Sequence, residues 1–396
     1  MDTLALPSLL DNDFYKFTMQ QCVVKLFPRA RARYRFINRG SHQFPAGFAE
    51  ALRAAVDGMR GLRLTADEKR WLAATCPYLD PVYLDYLEGY RYDPGEVTVR
   101  QEGSSVEVTV EGYWYRTILW EVPLLCLISE NFYALGGAAR EPDATVVEKT
   151  RVKIEDYGTQ GVTIAEFGTR RRHSFAVQDL VVGALKRYGS TFVGTSNVHL
   201  AMKYGVKPIG THAHEWFMFH AARYGYRMAN TTALEHWVDV YRGELGIALS
   251  DTFTTAEFFE VFDRKFARLF DGLRHDSGDP LAFADQAIAH YQGLGIDPRS
   301  KTIIFSDSLN PEKVRRIAAH CSGRVGISFG IGTNFSNDVG LKPMNIVMKM
   351  TETCPDGKAW IPVVKLSDEP GKHTGDPRQI ELAKEILGIA SGSGRS

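Results

Sequence analysis

Gly210-Thr211-His212-Ala213-His214-Glu215-Trp216 follows directly on Val206-Lys207-Pro208-Ile209, a short run that reads as a strand. Two imidazoles and a carboxylate therefore crowd the point where a strand ends and a loop begins. Such side chains fill a core poorly, whereas His titrates near neutrality and Glu accepts or orients a proton. The pattern recurs on both sides. Thr163–Phe167 ends in Gly168-Thr169-Arg170-Arg171-Arg172, and Thr191–Val193 ends in Gly194-Thr195-Ser196-Asn197. Ile247–Leu249 ends in Ser250-Asp251-Thr252, and Gly272-Leu273 leads into Arg274-His275-Asp276-Ser277-Gly278-Asp279. Thr302–Phe305 ends in Ser306-Asp307-Ser308, and Arg324–Ile327 in Ser328-Phe329-Gly330-Ile331-Gly332-Thr333. Helix-like segments separate these runs. One buries Val177, Leu180, Val181, Ala184 and Leu185 at spacings of three and four. A second starts at a Thr254–Glu257 capping box and turns Phe258, Phe262, Phe266 and Leu269 inward. A doubly wound open sheet gathers its chemistry at one or two switch points. Polar residues at the end of every strand predict instead an α/β fold of irregular, TIM-like barrel form, with its chemistry on one face.

The chain before about residue 140 reads differently. Asp11 or Asp13 is placed to cap a helix carrying Phe14 and Phe17, with Tyr15 half-buried. Arg31–Ile37 alternates as an edge or half-exposed strand does. Thr65–Glu68 is a capping box, and Glu96–Arg100 and Ser105–Val110 pair across a Gly103-Ser104 turn. Ile118–Glu130 reads as a buried helix. The expected division is an N-terminal mixed α/β domain with an antiparallel sheet (1–140), a barrel (141–345) and a C-terminal segment (346–396). The tail Ser391–Ser396 reads as disordered.

Composition narrows the function classes. The 396 residues hold 47 basic and 47 acidic side chains, so no bulk field draws the protein to nucleic acid or an anionic membrane. The five cysteines form neither a CxxC pair nor a metal-finger spacing, as expected of reduced core thiols in a cytoplasmic protein. The start of the chain lacks a signal-peptide pattern. Ile118–Ile128, broken by Glu121 and Pro123, looks too short to span a bilayer.

The strand-end clusters suggest chemistry. Three consecutive arginines are costly without anions to meet them, through surface salt bridges or a bound carboxylate or phosphate. Phe167 is either core or a flat face for an aromatic ring. Gly330 and Gly332 let backbone amides approach an oxyanion, with Thr333 adding a hydroxyl. Asp276 and Asp279 suit sugar hydroxyls or hydrated Mg²⁺, although Ser277–Asp279 also reads as a helix cap; Arg274 suits phosphate, and Asp307 stands at the next strand end. His212-Ala213-His214 has a rival reading as the metal pair of an amidohydrolase-type barrel. That architecture needs the pair on its first strand and further ligands; here two strands precede it and His275 is the one downstream strand-end histidine.

Taken together and in order, seven segments resemble the nicotinate phosphoribosyltransferase family. They are Leu9-Leu10-Asp11 through Tyr15-Lys16, Phe167–Arg171, Gly194–Asn197, Gly210–Glu215, Arg274–Asp279, Ser328–Thr333 and Lys365–Lys372. The resemblance implies an N-terminal α/β domain, an irregular barrel, C-terminal residues returning to the first domain, and a homodimer with shared active sites. It implies nicotinate and 5-phosphoribosyl 1-pyrophosphate as substrates, Mg²⁺ as cofactor and ATP as co-substrate. By position it places Phe167 and Tyr15, the latter from the partner subunit, on the two faces of the pyridine ring. Arg170 meets the nicotinate carboxylate, with Arg171 or Arg172 near phosphate and Thr195 and Thr211 in the substrate site. Ser196 stands where nicotinamide-using relatives keep an Asp, which selects the acid over the amide. His214 matches the histidine phosphorylated from ATP, beside Glu215. Asp276, Ser277 and Asp307 fall to the ribose and Mg²⁺ site, Arg274 to the phosphates, and Gly330, Gly332 and Thr333 to the 5-phosphate. Lys365 and Lys372 fall to ATP or pyrophosphate. The acidic phosphoribosyl loop of the commoner transferase fold is absent. A quinolinate-using barrel enzyme would have a shorter chain and want more cations.

Overall fold

The computed structural model describes residues 6–369 and 372–389; the Ser391–Ser396 tail and Pro370-Gly371 of the Lys365–Lys372 motif lie outside the described residues. Among the described residues the chain forms twelve strands in order: β1 (Arg31–Asn38), β2 (Val97–Glu102), β3 (Ser105–Tyr113), β4 (Thr163–Glu166), β5 (Phe192–Thr195), β6 (Lys207–Pro208), β7 (Ile247–Leu249), β8 (Gly272–His275), β9 (Thr302–Phe305), β10 (Gly326–Ile331), β11 (Ile346–Cys354) and β12 (Ile361–Pro362). They form two sheets, a five-stranded antiparallel one in the order β12-β11-β1-β3-β2 and a seven-stranded parallel one in the order β6-β5-β4-β10-β9-β8-β7.

The parallel order is the chain order closed on itself, with β4 beside β10, and interrupted between β6 and β7. It is a curled half-barrel. Side chains from the loop after β6 span the interruption: Thr211 Oγ1 donates to Ile247 O at 3.0 Å, and Leu249 N–H donates to His212 Nε2 at 3.1 Å. Arg274 Nη1 also donates to His212 O at 2.9 Å. Short strands alone do not close this seam; the Gly210–Glu215 stretch does.

The antiparallel sheet follows the expected β2–β3 hairpin, with Val97 opposite Val110 and Val99 opposite Val108. β1 is not an edge strand. It runs through the middle of the sheet between β11 and β3, and its alternation comes from one buried face and one exposed face. The capping box at Thr65–Glu68 is present. Helical geometry runs on from Trp114 to Gly136, 23 residues rather than the shorter stretch expected, and is long and apolar enough to cross a membrane by length and composition. Yet 78% of its most apolar window is buried inside the protein, so the core uses that hydrophobicity. The helix expected after β7 is two, Thr255–Val261 and Arg264–Leu269, because Asp263 caps the second from within the sequence. Leu269, expected inward, is exposed. Thr254 caps the first helix, accepting from Glu257 N–H.

The first helix (Phe14–Leu26) ties both sheets to one place. Residues before it lie along the end of β5, where Phe14 N–H donates to Ser196 O and Val198 N–H to Asn12 O. A Cβ on Gly210 would stand 2.9 Å from Tyr15 N, so glycine permits this close approach. β11 and β12 join the antiparallel sheet, Val363 still donates to Thr351 O of β11, and the chain then returns to the barrel mouth. There Leu366 N–H donates to Thr252 O, and Asp368 accepts from Thr255 N–H at 2.7 Å. All five cysteines are buried and free.

Candidate active site

The strand ends of the half-barrel converge on His214. It is the first residue of the helix His214–Tyr224, and its side chain is largely buried. Its Nε2 lies 2.8 Å from Asp251 Oδ1 and 3.6 Å from Asp276 Oδ2. Asp251 is held in turn by Ser277 Oγ at 2.6 Å and Lys365 Nζ at 3.2 Å, both on Oδ2. Ser306 Oγ donates to Asp276 Oδ1 at 2.8 Å. Burial foremost, then the Lys365 charge, lowers the His214 pKa to about 4, while Asp251 and Asp276 partly oppose that. Asp251 goes well below the usual carboxylate range: burial raises it, but His214, Lys365 and Ser277 together outweigh that. The imidazole is therefore neutral near pH 7, and Asp251 fixes its proton on Nε2.

Asp251 carries this arrangement and was only a strand-end residue in the sequence. Its signal was its place: Ser250-Asp251-Thr252 ends a strand as Arg274–Asp279 does. Ligand atoms of His214, Asp251 and Asp276 lie within 4.8 Å of one another. Asp279 is outside that group. It is exposed and accepts from Leu281 N–H at 2.9 Å, capping the helix Pro280–Gly293, the alternative its place in the sequence also allowed. His212 is likewise no partner of His214 in a metal pair. Its Nε2 accepts from Leu249 N–H, and its ring is buried against Phe217 and Trp237.

A second cluster sits at the ends of β4 and β5. The three arginines diverge. Arg170 is the most open, 45% exposed, with Nε 3.8 Å from Asp13 Oδ2 and Nη1 3.6 Å from Glu121 Oε1. Arg171 donates from Nε to Ile346 O at 2.8 Å; burial and the Arg170 and Arg39 charges lower its pKa to about 10, which marks a surplus of positive charge there. Arg172 is fully buried. It meets Asp11 through two hydrogen bonds of 2.7 and 2.8 Å and Glu130 at 2.8 Å, so the expected phosphate role passes it by and its charge is spent on the fold. Lys349 on β11, unremarked in the sequence, adds to the cationic side. Burial and the neighbouring Lys365 and Arg170 charges bring its pKa down to about 8.

Phe167 follows β4, with its backbone N–H bonded to Ile331 O, and lies over Gly330, where a Cβ would come within 3.1 Å of the ring. Glycine at 330 is thus explained by the ring above it, inside β10 rather than in the loop beyond. Gly332 and Thr333 start the short helix Thr333–Ser336. Tyr15 of this same chain is at the mouth, with Arg170 Cζ 6.0 Å from its ring centre, where the resemblance predicts the partner's. Its hydroxyl is buried with no hydrogen-bond partner among the described residues. Thr195 is buried and donates to Glu166 Oε2 at 2.5 Å; burial pushes the Glu166 pKa up to about 7 against the hydrogen bonds it accepts. Ser196 Oγ donates to Asp13 Oδ1 at 2.7 Å, and burial raises the Asp13 pKa. Asp13 stands at the cap position of the first helix, yet its carboxylate serves Ser196 instead of the helix. Asp307 lies 3.7 Å from Lys313 Nζ and 3.8 Å from Lys372 Nζ; Lys372 also pairs with Glu369. Arg274 Nε is buried with no hydrogen-bond partner among the described residues.

Comparisons with known proteins agree with one another. Residues 162–390 match the model of the nicotinate phosphoribosyltransferase (NAPRTase) family, and residues 10–129 match that of its N-terminal domain. The chain is 65% identical to a nicotinate phosphoribosyltransferase of Chromohalobacter salexigens over 97% of this chain and 99% of that one. It is 49% identical to one from Desulforapulum autotrophicum over 96% and 98%. The crystal structure of nicotinate phosphoribosyltransferase from Porphyromonas gingivalis superposes with a TM-score of 0.95 at 48% identity, covering 97% of this chain and all of that one. The corresponding enzyme from Vibrio cholerae gives 0.92 at 34% identity, covering 99% and 96%. With both family models matched and likeness along nearly its whole length, the chain belongs to the nicotinate phosphoribosyltransferase family.

Proposed function

We propose that this protein joins nicotinate to 5-phosphoribosyl 1-pyrophosphate, giving nicotinate mononucleotide and pyrophosphate, with ATP hydrolysed to ADP and phosphate alongside. The observation that carries the reading is the His214–Asp251 pair at the strand ends, next to an open arginine and an aromatic ring. Nicotinate lies with its ring on Phe167 and Tyr15 and its carboxylate on Arg170. The pyridine nitrogen attacks C1 of the ribose, and the C1–O bond to pyrophosphate breaks, leaving its electron pair on the pyrophosphate. The transition state has oxocarbenium character, so cations near the leaving group matter most. Arg274, Lys365 and Lys372 supply them, and Gly332 and Thr333 receive the 5-phosphate.

The imidazole is suited to phosphoryl transfer. With the Nε2 proton donated to Asp251, the lone pair stays on Nδ1, and a pKa near 4 keeps it free at neutral pH. Nδ1 takes the γ-phosphoryl group of ATP as ADP leaves, and water later releases phosphate. Asp276 also fits the role of a Mg²⁺ ligand: Asp251 is occupied by His214, Ser277 and Lys365, while Asp276 Oδ2 stands 3.6 Å from His214 Nε2. Mg²⁺ bound there would shield charge on the departing pyrophosphate. The division at 1–140, 141–345 and 346–396, a homodimer and a cytoplasmic location belong to the same reading.

The test is a product assay with Mg²⁺ and 5-phosphoribosyl 1-pyrophosphate, offering nicotinate, nicotinamide and quinolinate, each with and without ATP. Nicotinate mononucleotide alone, stimulated by ATP, is the expected result. Preference for either other substrate would overturn the specificity, and metal-dependent hydrolysis without any nucleotide would overturn the reaction.

A further inference from the structure

Behind Arg170 run three buried charged residues that the reaction above does not use: Glu121, Lys16 and Glu215. Lys16, on the first helix, has a side chain with no exposed surface. Its ammonium meets Glu121 Oε2 at 2.5 Å and Glu215 Oε1 at 2.8 Å. The other oxygen of Glu121 faces Arg170 Nη1 at 3.6 Å. Glu215 follows His214 in the first turn of its helix, and its second oxygen is buried with the Tyr34 hydroxyl as its neighbouring donor. The charges alternate: Arg170 positive, Glu121 negative, Lys16 positive, Glu215 negative. One end opens at the mouth of the β4 cluster; the other sits one residue from the imidazole.

We propose that Lys16, Glu121 and Glu215 are positioning residues that couple occupancy of the Arg170 pocket to the placement of His214. A carboxylate arriving at Arg170 competes with Glu121 for the guanidinium. Glu121 then relies more on Lys16, and the ammonium, shared between two carboxylates, shifts its balance away from Glu215. In a buried setting such a change is poorly screened and is felt along the line. Glu215 is anchored in the backbone turn that begins with His214, so the shift reaches the imidazole mechanically. Coupling between sites is reciprocal: nicotinate on Arg170 alters the readiness of His214, and phosphoryl on His214 alters the hold on nicotinate. The inference rests on the proposed roles of Arg170 and His214.

The experiment measures the nicotinate KM with and without ATP in the full-length enzyme. The wild type is expected to show a lower KM with ATP. Lys16→Met is expected to bring the ratio to within about twofold of one, while ATP hydrolysis without nicotinate persists; Lys16→Arg, which keeps the charge, should recover part of the ratio. Glu121→Gln, milder in volume and charge, should also reduce it and carries the test should Lys16→Met fail to fold. A ratio unchanged in both variants, whatever happens to their stability, overturns the relay and leaves the reaction standing. Failure of the underlying reading looks different: Arg170→Ala without effect on the nicotinate KM, or a wild type indifferent to ATP, overturns both together.

Discussion

In the proposed reaction, two residues bear most directly on how the site treats its substrates. His214 has its Nε2 bonded to Asp251, and burial holds it neutral, so its value lies in one free lone pair. His214→Ala should keep the fold, abolish ATP stimulation and cut catalytic efficiency; the check is nicotinate mononucleotide formation against ATP concentration, and stimulation surviving in the variant would remove His214 from the ATP step. Ser196 is the other. Its hydroxyl donates to Asp13, a buried carboxylate whose pKa is already raised. Ser196→Asp replaces a hydroxyl donor by a second carboxyl group beside the first. The pair then repels nicotinate's carboxylate and can accept the N–H of an amide. Nicotinate kcat/KM should fall at least about tenfold, the equivalent of 1.4 kcal/mol, and that for nicotinamide should rise. An unaltered ratio between the two substrates would place selectivity at Arg170 instead.

At the scale of elements, buried charge pins the loop after β4. Arg172 joins that turn to Asp11 before the first helix and to Glu130 on the helix Glu121–Gly136. Removing one partner of such a network leaves charges stranded in the interior, at a cost of about 3–5 kcal/mol. Arg172→Met should therefore lower the midpoint of denaturant unfolding sharply, whereas Arg299→Ala, on an exposed pair with Asp297, should leave it where it was. Equal midpoints for the two would mean that Asp11 and Glu130 find other partners. This arginine also marks where the sequence stops being legible. Strands and their polar ends could be read because the pattern repeats seven times. The direction each of three adjacent arginines takes depends on partners about 40 and 160 residues away, which no local spacing encodes. The same holds for His212, whose role is to accept from a backbone N–H across the open seam, and for Asp251, which needs the next strand end beside it to acquire meaning. The split helix after β7 was legible in principle, since Asp263 is a good cap, but a continuous apolar period hid it.

Over the whole molecule, the two sheets are welded where the first helix, the loop after β6 and the C-terminal return meet, and this junction is rich in neutral histidines. Burial lowers the pKa of His212 well below its ordinary value, that of His214 to about 4 and that of His220 to about 3, and it lowers that of His275 as well. Unfolded, these imidazoles return to about 6.5 and take up protons that the folded protein refuses. Each contributes stability present above that value and lost as the pH falls from it toward the folded one, with a limiting slope near 1.4 kcal/mol per pH unit for one proton. Buried carboxyls act in the opposite sense. Glu166, raised to about 7, is protonated in the folded state before the unfolded one, so it adds stability as the pH drops below 7. Asp13, Glu215 and Asp368, raised by burial as well, join it. Asp251 and Asp276 go the other way: with folded values depressed, they lose their contribution at still lower pH. Glu166 acts from about pH 7 and the imidazoles from about 6.5, and across this window four imidazoles stand against that one carboxyl. The thermal midpoint should therefore fall steadily from pH 7 to pH 5.5, with net proton uptake on unfolding in a weakly buffered calorimetric scan. A midpoint that holds or rises across that window would show Glu166 and Asp13 outweighing the histidines, and the junction's stability would then rest on its carboxyl groups.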